Sequence, residues 1–295
     1  MMNFSGSVLR TLPRFTCRRY IVPGVRMLSE DSKPPEVVTE KRGNVFLIGI
    51  NRPYAKNAVS IFTGEQLLEA FQEFEKDKSS LVAVFYGVGN CFCSGFDLKF
   101  LSKAPTDMRR DIIYAPMGPS KIRISKPIIG AINGYAVAGG LELALVCDLR
   151  VMEESAIIGI FCRRFGVPLL DGGTVRLPQL IGLSRALDLI LTGRPVTAKE
   201  ALEFGIANRV VPDGTALEEA IKLANQIASF PQKCMKADRR SAYYSCYDST
   251  SLEDAMRYEH NNGKPIIAKE SVAGASKFVS GVGRSGSFDE FKAKL

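Results

Sequence analysis

The chain has 295 residues, 46% of them hydrophobic, enough for a substantial core and too many for a disordered polymer. Its net charge is +8, from 39 basic and 31 acidic residues. The surplus lies mostly in Arg10, Arg14, Arg18, Arg19 and Arg26, which precede the first acid, Glu30. The remainder carries only +3, too little to argue for a nucleic-acid partner by charge.

The Arg-rich, acid-free opening reads as a mitochondrial transit peptide over residues 1–28, processed near Arg26-Met27-Leu28 and followed by a linker over 29–36. A plain basic tail is the alternative. The terminal Ala293-Lys294-Leu295 is close to the Ser-Lys-Leu peroxisomal address. The mitochondrial matrix is therefore the expected location, with the peroxisome as alternative. The longest uncharged stretch, between Lys78 and Asp97, has 18 residues and is broken by four polar side chains and three glycines, so no membrane span is expected.

Along the chain, 37–50 reads as a hairpin about Arg42-Gly43-Asn44. Ile61–Lys76 reads as an amphipathic helix with Leu67, Leu68, Phe71 and Phe74 on one face. The run 81–86 is apolar and β-branched, as in a buried parallel strand. A helix is predicted over 108–122, a strand over 127–132, a helix from about Leu141, and a strand over 149–152. This alternation predicts an α/β class with parallel strands. Helices follow over 174–181, 184–192, Ala198–Phe204 and 217–229, with two or three more after Pro231 and a short strand over 208–211. No repeat of fixed period is present.

Two glycine turns carry the chemistry: Cys91-Phe92-Cys93-Ser94-Gly95-Phe96-Asp97-Leu98-Lys99, and Asn133-Gly134-Tyr135-Ala136-Val137-Ala138-Gly139-Gly140-Leu141-Glu142. Glycine removes the side chain that keeps a ligand away from backbone N–H groups. Two such turns side by side would give a two-donor hole for a carbonyl oxygen that gains negative charge. Glu142 opens a helix, where the dipole favours its ionised form; an apolar pocket pushes its pKa the other way. Seven cysteines lack metal spacing, and Cys91-x-Cys93 has no second ligand pair. No metal is expected. The one histidine, His260, reads as helix-end packing and leaves no partner for a Ser-His-Asp triad.

These motifs resemble the crotonase superfamily. Ser94-Gly95-Phe96-Asp97-Leu98-Lys99 is similar to its small-Gly-x-Asp-Ile/Leu-Lys segment. Gly134 to Glu142, closing with Cys147-Asp148, is similar to its Gly-x-Ala-x-Gly-Gly-Gly-x-Glu…Cys-Asp segment, with Ala138 at the first of three glycines. Asn51-Arg52-Pro53 with Asn57-Ala58, and Gly172-Gly173-Thr174 with Arg176-Leu177-Pro178, resemble two further family turns. The likeness runs from about Val37 to about Phe278.

The resemblance implies the crotonase fold, stacked ββα turns with a helical C-terminal region: a core over 37–212 and a helical trimerisation region over 213–295. It implies a homotrimer or homohexamer, and no cofactor beyond a coenzyme A thioester as substrate. The N–H groups of Phe96 and Gly139 would form the oxyanion hole, with the Phe96 ring narrowing or redirecting the acyl pocket. Lys56, Asp97, Leu98 and Lys99 would contact CoA, and Glu142 would be the acid/base. The family's second hydratase glutamate, 12 residues before the Gly-Gly-Thr threonine, is Cys162 here. Either Glu142 alone serves as base and acid, or Asp171 is its partner. Arg163 or Arg164 would spoil such an acid by pairing with it. Cys162 has no histidine partner and is not expected to act as a nucleophile. An enoyl-CoA hydratase is the first expectation. An enoyl- or dienoyl-CoA isomerase using Glu142 with Asp171 is the second, and a silent acyl-CoA-binding scaffold the third.

Overall fold

A computed structural model describes residues 35–103 and 116–283. The transit peptide expected over 1–28, most of the expected linker, most of the helix expected over 108–122, and the terminal tripeptide lie outside the described residues.

The main sheet has six strands in the order β1-β2-β3-β4-β6-β9. β1 (Val37–Arg42) and β2 (Val45–Ile50) form the predicted hairpin. β2, β3 (Val82–Gly87), β4 (Ile128–Ile132), β6 (Leu149–Glu153) and β9 (Arg209–Val211) then pair in parallel. Alternate residues enter two different apolar layers. Phe46, Ile48, Ile50, Ala83, Phe85, Ile128 and Ile132 face one; Val45, Leu47, Val82, Val84, Ile129 and Ala131 face the other. A parallel sheet needs both faces covered, so its strands read as continuous apolar runs.

The first layer is closed by α1 (Ile61–Lys76), whose N-terminus is fixed by a Ser60–Thr63 capping box. Phe71 packs edge-on to Phe85, and Phe85 to Phe92, each pair with ring centroids 5.2 Å apart. The buried Lys126 ammonium donates to the carbonyls of Phe74, Asp77 and Ser80, satisfying the C-terminal end of α1. The second layer is closed by the helix Ala216–Ser229, which sets Ala216, Ala220, Ile221 and Ala224 against the sheet. The next helix, Gln232–Tyr247, is tied to the core by Asp148. That carboxylate accepts from Arg239 and Tyr243, both at 2.8 Å, and from the Ile128 N–H at 2.8 Å.

A second sheet, absent from the sequence reading, joins β5 (Tyr135–Val137), β7 (Ile157–Gly159) and β8 (Pro195–Thr197). Strands of three residues are too short to show a period of two. The described end of the helix expected over 108–122 is instead a 3-10 turn, Pro119–Lys121. Gly118 there has φ 96°, and Pro119 has no N–H to donate. His260 lies inside the helix Leu252–Ile266, on an exposed position, and not at a helix end.

The short helix α2 (Leu98–Lys103) follows the first glycine turn, and β5 leads into α3 (Gly139–Val146), whose residues 139–145 are all buried. Its N-cap, Ala138, has φ 55° and ψ −126°, a conformation that suits glycine. Ala138 is held there by its N–H to Gly159 (2.8 Å) and by its carbonyl, which accepts from Leu141 (3.0 Å) and Glu142 (3.3 Å). Gly140 is fixed by space: a Cβ there would lie 2.1 Å from the Cys93 carbonyl oxygen. Strain of this kind costs about 1–3 kcal/mol, against roughly 0.4–1 kcal/mol of extra chain entropy for glycine. Ala138→Gly is therefore expected to raise the urea midpoint of unfolding slightly, and Gly140→Ala to lower it. Equal midpoints for wild type and both variants would contradict this account.

Candidate active site

The two glycine turns meet through a short backbone ladder. Cys93 donates to the Tyr135 carbonyl at 2.9 Å, and Val137 donates back to the Cys93 carbonyl at 3.1 Å. Gly95, at φ 101°, closes the approach: a Cβ there would lie 2.9 Å from the Ala138 Cβ and 3.1 Å from the Gly139 nitrogen. Val59 donates to Gly95 (2.8 Å) and accepts from Asp97 (2.9 Å), so the intervening Phe96 N–H points away from Val59. Gly139 is the first residue of α3, where an N–H has no intrahelical acceptor. Phe96 and Gly139 thus stand in adjoining turns with N–H donors that no described backbone group uses. A Cβ on Gly139 would lie 3.0 Å from the Met117 sulfur, which makes Met117 an apolar neighbour of this corner. The Phe96 ring packs edge-on to Phe100 (6.4 Å between centroids), and Phe100 to Phe62 (6.1 Å).

Glu142 lies one turn into α3 and is only 3% exposed. Its Oε1 accepts from the Asp171 N–H at 2.9 Å and the Gly173 N–H at 2.8 Å. Those amides belong to the Gly172-Gly173 turn that opens the helix Gly173–Ile181, so the third glycine motif points its backbone at the carboxylate of the second. Burial pushes the Glu142 pKa up to about 7; the neighbouring Asp171 charge adds to this, and the amides of Gly173, Asp171 and Leu170 oppose it.

Asp171 is 2% exposed. Its Oδ1 accepts from the Met117 N–H at 3.0 Å and from the Ser120 hydroxyl. Its carbonyl accepts from Arg176 at 2.8 Å. Burial raises its pKa, against the lowering effects of Ser120, Met117, Lys121 and Arg176. The structure therefore brings Glu142 and Asp171 into one wall, as the sequence spacing allowed.

Cys162 sits in the 3-10 turn Phe161–Phe165, buried and close enough to Glu142 for that charge to act on it. Burial first, and Glu142 second, raise its pKa, so the thiol stays protonated. Arg163 and Arg164 do not pair with either carboxylate. Arg163 donates to Ile190 (3.1 Å), and Arg164 donates to Gly193 (3.0 Å) and covers the Phe161 ring.

The expected CoA-contacting residues line one edge of the first glycine turn. Lys56, exposed and in the left-handed region at φ 50°, lies over the Tyr135 ring at 5.4 Å, and its carbonyl accepts from Ser94 at 3.0 Å. Leu98 and Lys99 are exposed in the first turn of the helix Leu98–Lys103. Asp97 is engaged internally: Oδ1 caps that helix through Lys99 and Phe100 (both 3.1 Å), and Oδ2 pairs with Arg52 at 3.0 Å. The sequence reading assigned no task to Arg52 and Asn57. Fully buried Asn57 accepts from Arg52 N–H (2.8 Å) and donates to Val88 (3.0 Å) and Cys91 (2.6 Å), tying three loops together. Met117 and Ser120 were also missed. Ser120 lies 51 positions from Asp171, with no local pattern linking them.

Residues 40–280 match the family model described as enoyl-CoA hydratase/isomerase. Enoyl-CoA hydratase EchA19 of Mycobacterium tuberculosis is 38% identical over 215 residues, covering 70% of this chain and 80% of that protein. A probable mitochondrial enoyl-CoA hydratase of Dictyostelium discoideum is 38% identical over 223 residues, covering 75% and 79%. Among solved structures, enoyl-CoA hydratase EchA1 from Mycobacterium marinum superposes with a TM-score of 0.77 at 32% identity, covering 84% of this chain and 96% of that one. The glycine turns, the buried glutamate between them and the Gly-Gly-Thr turn, and a match across most of the chain lead to one conclusion: this protein is a member of the enoyl-CoA hydratase/isomerase family, with the crotonase fold.

Proposed function

We propose that the chain is an enoyl-CoA hydratase that adds water reversibly to a 2-enoyl-CoA, with Glu142 as its acid/base. One observation carries the assignment: a buried carboxylate, held by backbone amides and raised to about 7, beside two N–H donors that no described backbone group uses. The thioester oxygen lies between the N–H groups of Phe96 and Gly139, which stabilise it as it becomes an enolate. Glu142 takes a proton from water as the water oxygen bonds to C3. The electron pair of the double bond moves onto the thioester oxygen. Glu142 then returns the proton to C2 as the carbonyl reforms. A group with a pKa near neutral serves in both directions. Cys162, held as a neutral thiol, does not replace the missing second glutamate as a base. Asp171 is the second carboxylate of the site, and its charge helps keep Glu142 at its raised pKa.

Lys56, Leu98 and Lys99 serve the CoA moiety, while Asp97 orders the segment that presents them. The matrix of mitochondria is the proposed location, supported by the Arg-rich opening and the mitochondrial name of the Dictyostelium relative. The proposed assembly is a trimer or a dimer of trimers. Exposed Leu183 and Leu191 on one helix, and Val272, Phe278 and Val279 near the C-terminal end, supply apolar surface for it. Light scattering of the purified protein is expected to give the mass of three or six chains; a monomer would contradict this.

Glu142→Gln is expected to lower kcat for hydration of crotonyl-CoA by about 10²–10⁴-fold with KM little changed. The reaction is followed by loss of enoyl absorbance and by a mass gain of one water. Undiminished turnover would overturn the role of Glu142, and an isobaric product would favour isomerisation. The same variant tests the electrostatics. A folded-state pKa of about 7 against the ordinary 4.5 means that ionising Glu142 disfavours the fold. Wild type loses that stability as pH rises from about 4.5 through about 7, whereas the glutamine variant does not. The melting temperature of Glu142→Gln relative to wild type is therefore expected to rise between acidic and mildly alkaline pH. A pH-independent difference would contradict the raised pKa.

A further inference from the structure

Asp171 is held more completely than a carboxylate that only fills space requires. Its Oδ1 accepts twice, from the Met117 N–H at 3.0 Å and from the Ser120 hydroxyl, while Oδ2 accepts from none of the described residues. Its own N–H reaches the Glu142 carboxylate at 2.9 Å, and its carbonyl is fixed by Arg176 at 2.8 Å. Ser120 is therefore linked to the catalytic glutamate through one residue: hydroxyl to Asp171 side chain, Asp171 backbone to Glu142. The 3-10 turn Pro119–Lys121 delivers that hydroxyl. Pro119 starts the turn, and Gly118 lets the chain pass over α1, where a Cβ would lie 2.1 Å from the Gly64 carbonyl.

We propose that Ser120 is a positioning residue for hydration, fixing Asp171 through Oδ1 so that Oδ2 is the oxygen left to exchange a proton and to bear charge toward Glu142. The proposal rests on the hydratase reading above. A hydroxyl donor favours the ionised carboxylate, so removing it makes Asp171 hold a proton more tightly. The other charged groups facing Asp171 are Lys121 from the same turn, Arg176 from the helix Gly173–Ile181 and Glu142 from α3. Lys121 and Arg176 act in the same direction as Ser120, and the Asp171 charge in turn raises the Glu142 pKa. Because the two carboxylates interact, the pair titrates jointly, and a change at Asp171 appears in the acid limb of the pair's profile.

The test compares wild type, Ser120→Ala, Ser120→Thr, Asp171→Asn and the double variant Ser120→Ala with Asp171→Asn. It measures kcat/KM for crotonyl-CoA across pH. Ser120→Ala is expected to move the acid limb upward by about one pH unit, the scale of one charge-assisted hydrogen bond. Ser120→Thr, which keeps the hydroxyl, is expected to restore the wild-type limb, and the double variant to match Asp171→Asn alone. A uniform loss with an unshifted profile, or a double variant clearly worse than Asp171→Asn, would overturn the proposal. Carboxyl carbon NMR of the full chain labelled at aspartate reads the same effect without turnover. An Asp171 titration that rises in Ser120→Ala supports the positioning of Asp171 by Ser120 even if crotonyl-CoA is not hydrated, in which case the hydratase reading, and hydration as the step served, fails. An unmoved titration overturns the proposal whatever the activity.

Discussion

The backbone ladder between Cys93 and the strand Tyr135–Val137 is the contact on which the site depends. It holds two glycine turns, more than 40 residues apart in sequence, so close that Gly95 has no room for a side chain against Ala138 and Gly139. Only at that distance can the N–H of Phe96 and the N–H of Gly139 address one oxygen atom. Each turn is otherwise a common way to end a strand. Their juxtaposition aims two backbone dipoles at one place, and such dipoles act most strongly where water is excluded.

The proposed acid/base group is built in the same way. Glu142 comes from the second turn, and its orientation from a third, because the amides of Asp171 and Gly173 fix one carboxylate oxygen. Burial raises its proton affinity, and those amides hold the rise to a value near neutral. A stronger donor set would leave a weak base, and a drier pocket would leave a group permanently protonated. Asp171 joins this balance from below, anchored by Ser120 and Met117 on a turn that no periodicity announces. Cys162, where the family's second glutamate is usual, leaves a neutral thiol beside Glu142, so in the proposed reaction proton transfer falls to one carboxylate with another at its side.

Much of this was legible in the chain. The apolar runs of the parallel strands, the helix Ile61–Lys76, and the glycine motifs around Gly95, Gly139 and Gly173 are local signals, each written within about a dozen residues. The strands of the second sheet were not legible, since three residues such as Ile157–Gly159 show no period. Nor was the 3-10 turn that carries Ser120, or the inward use of Asp97, whose partner Arg52 stands 45 positions away.

The sequence alone determined the residue types that the chemistry needs: glycines where backbone must approach a ligand, one glutamate at the head of an apolar helix, and a cysteine where a second acid is usual. Those choices follow from local sterics and polarity, which short segments express by themselves. The tertiary structure alone decided which groups meet: that Arg163 and Arg164 turn away to carbonyls, that Asp97 is spent on Arg52 and a helix cap, and that Asp171 reaches Glu142 by its backbone while Ser120 holds its side chain. Such contacts depend on distances across the sheet and between turns far apart in the chain. No residue type fixes a partner that packing has yet to bring within 3 Å.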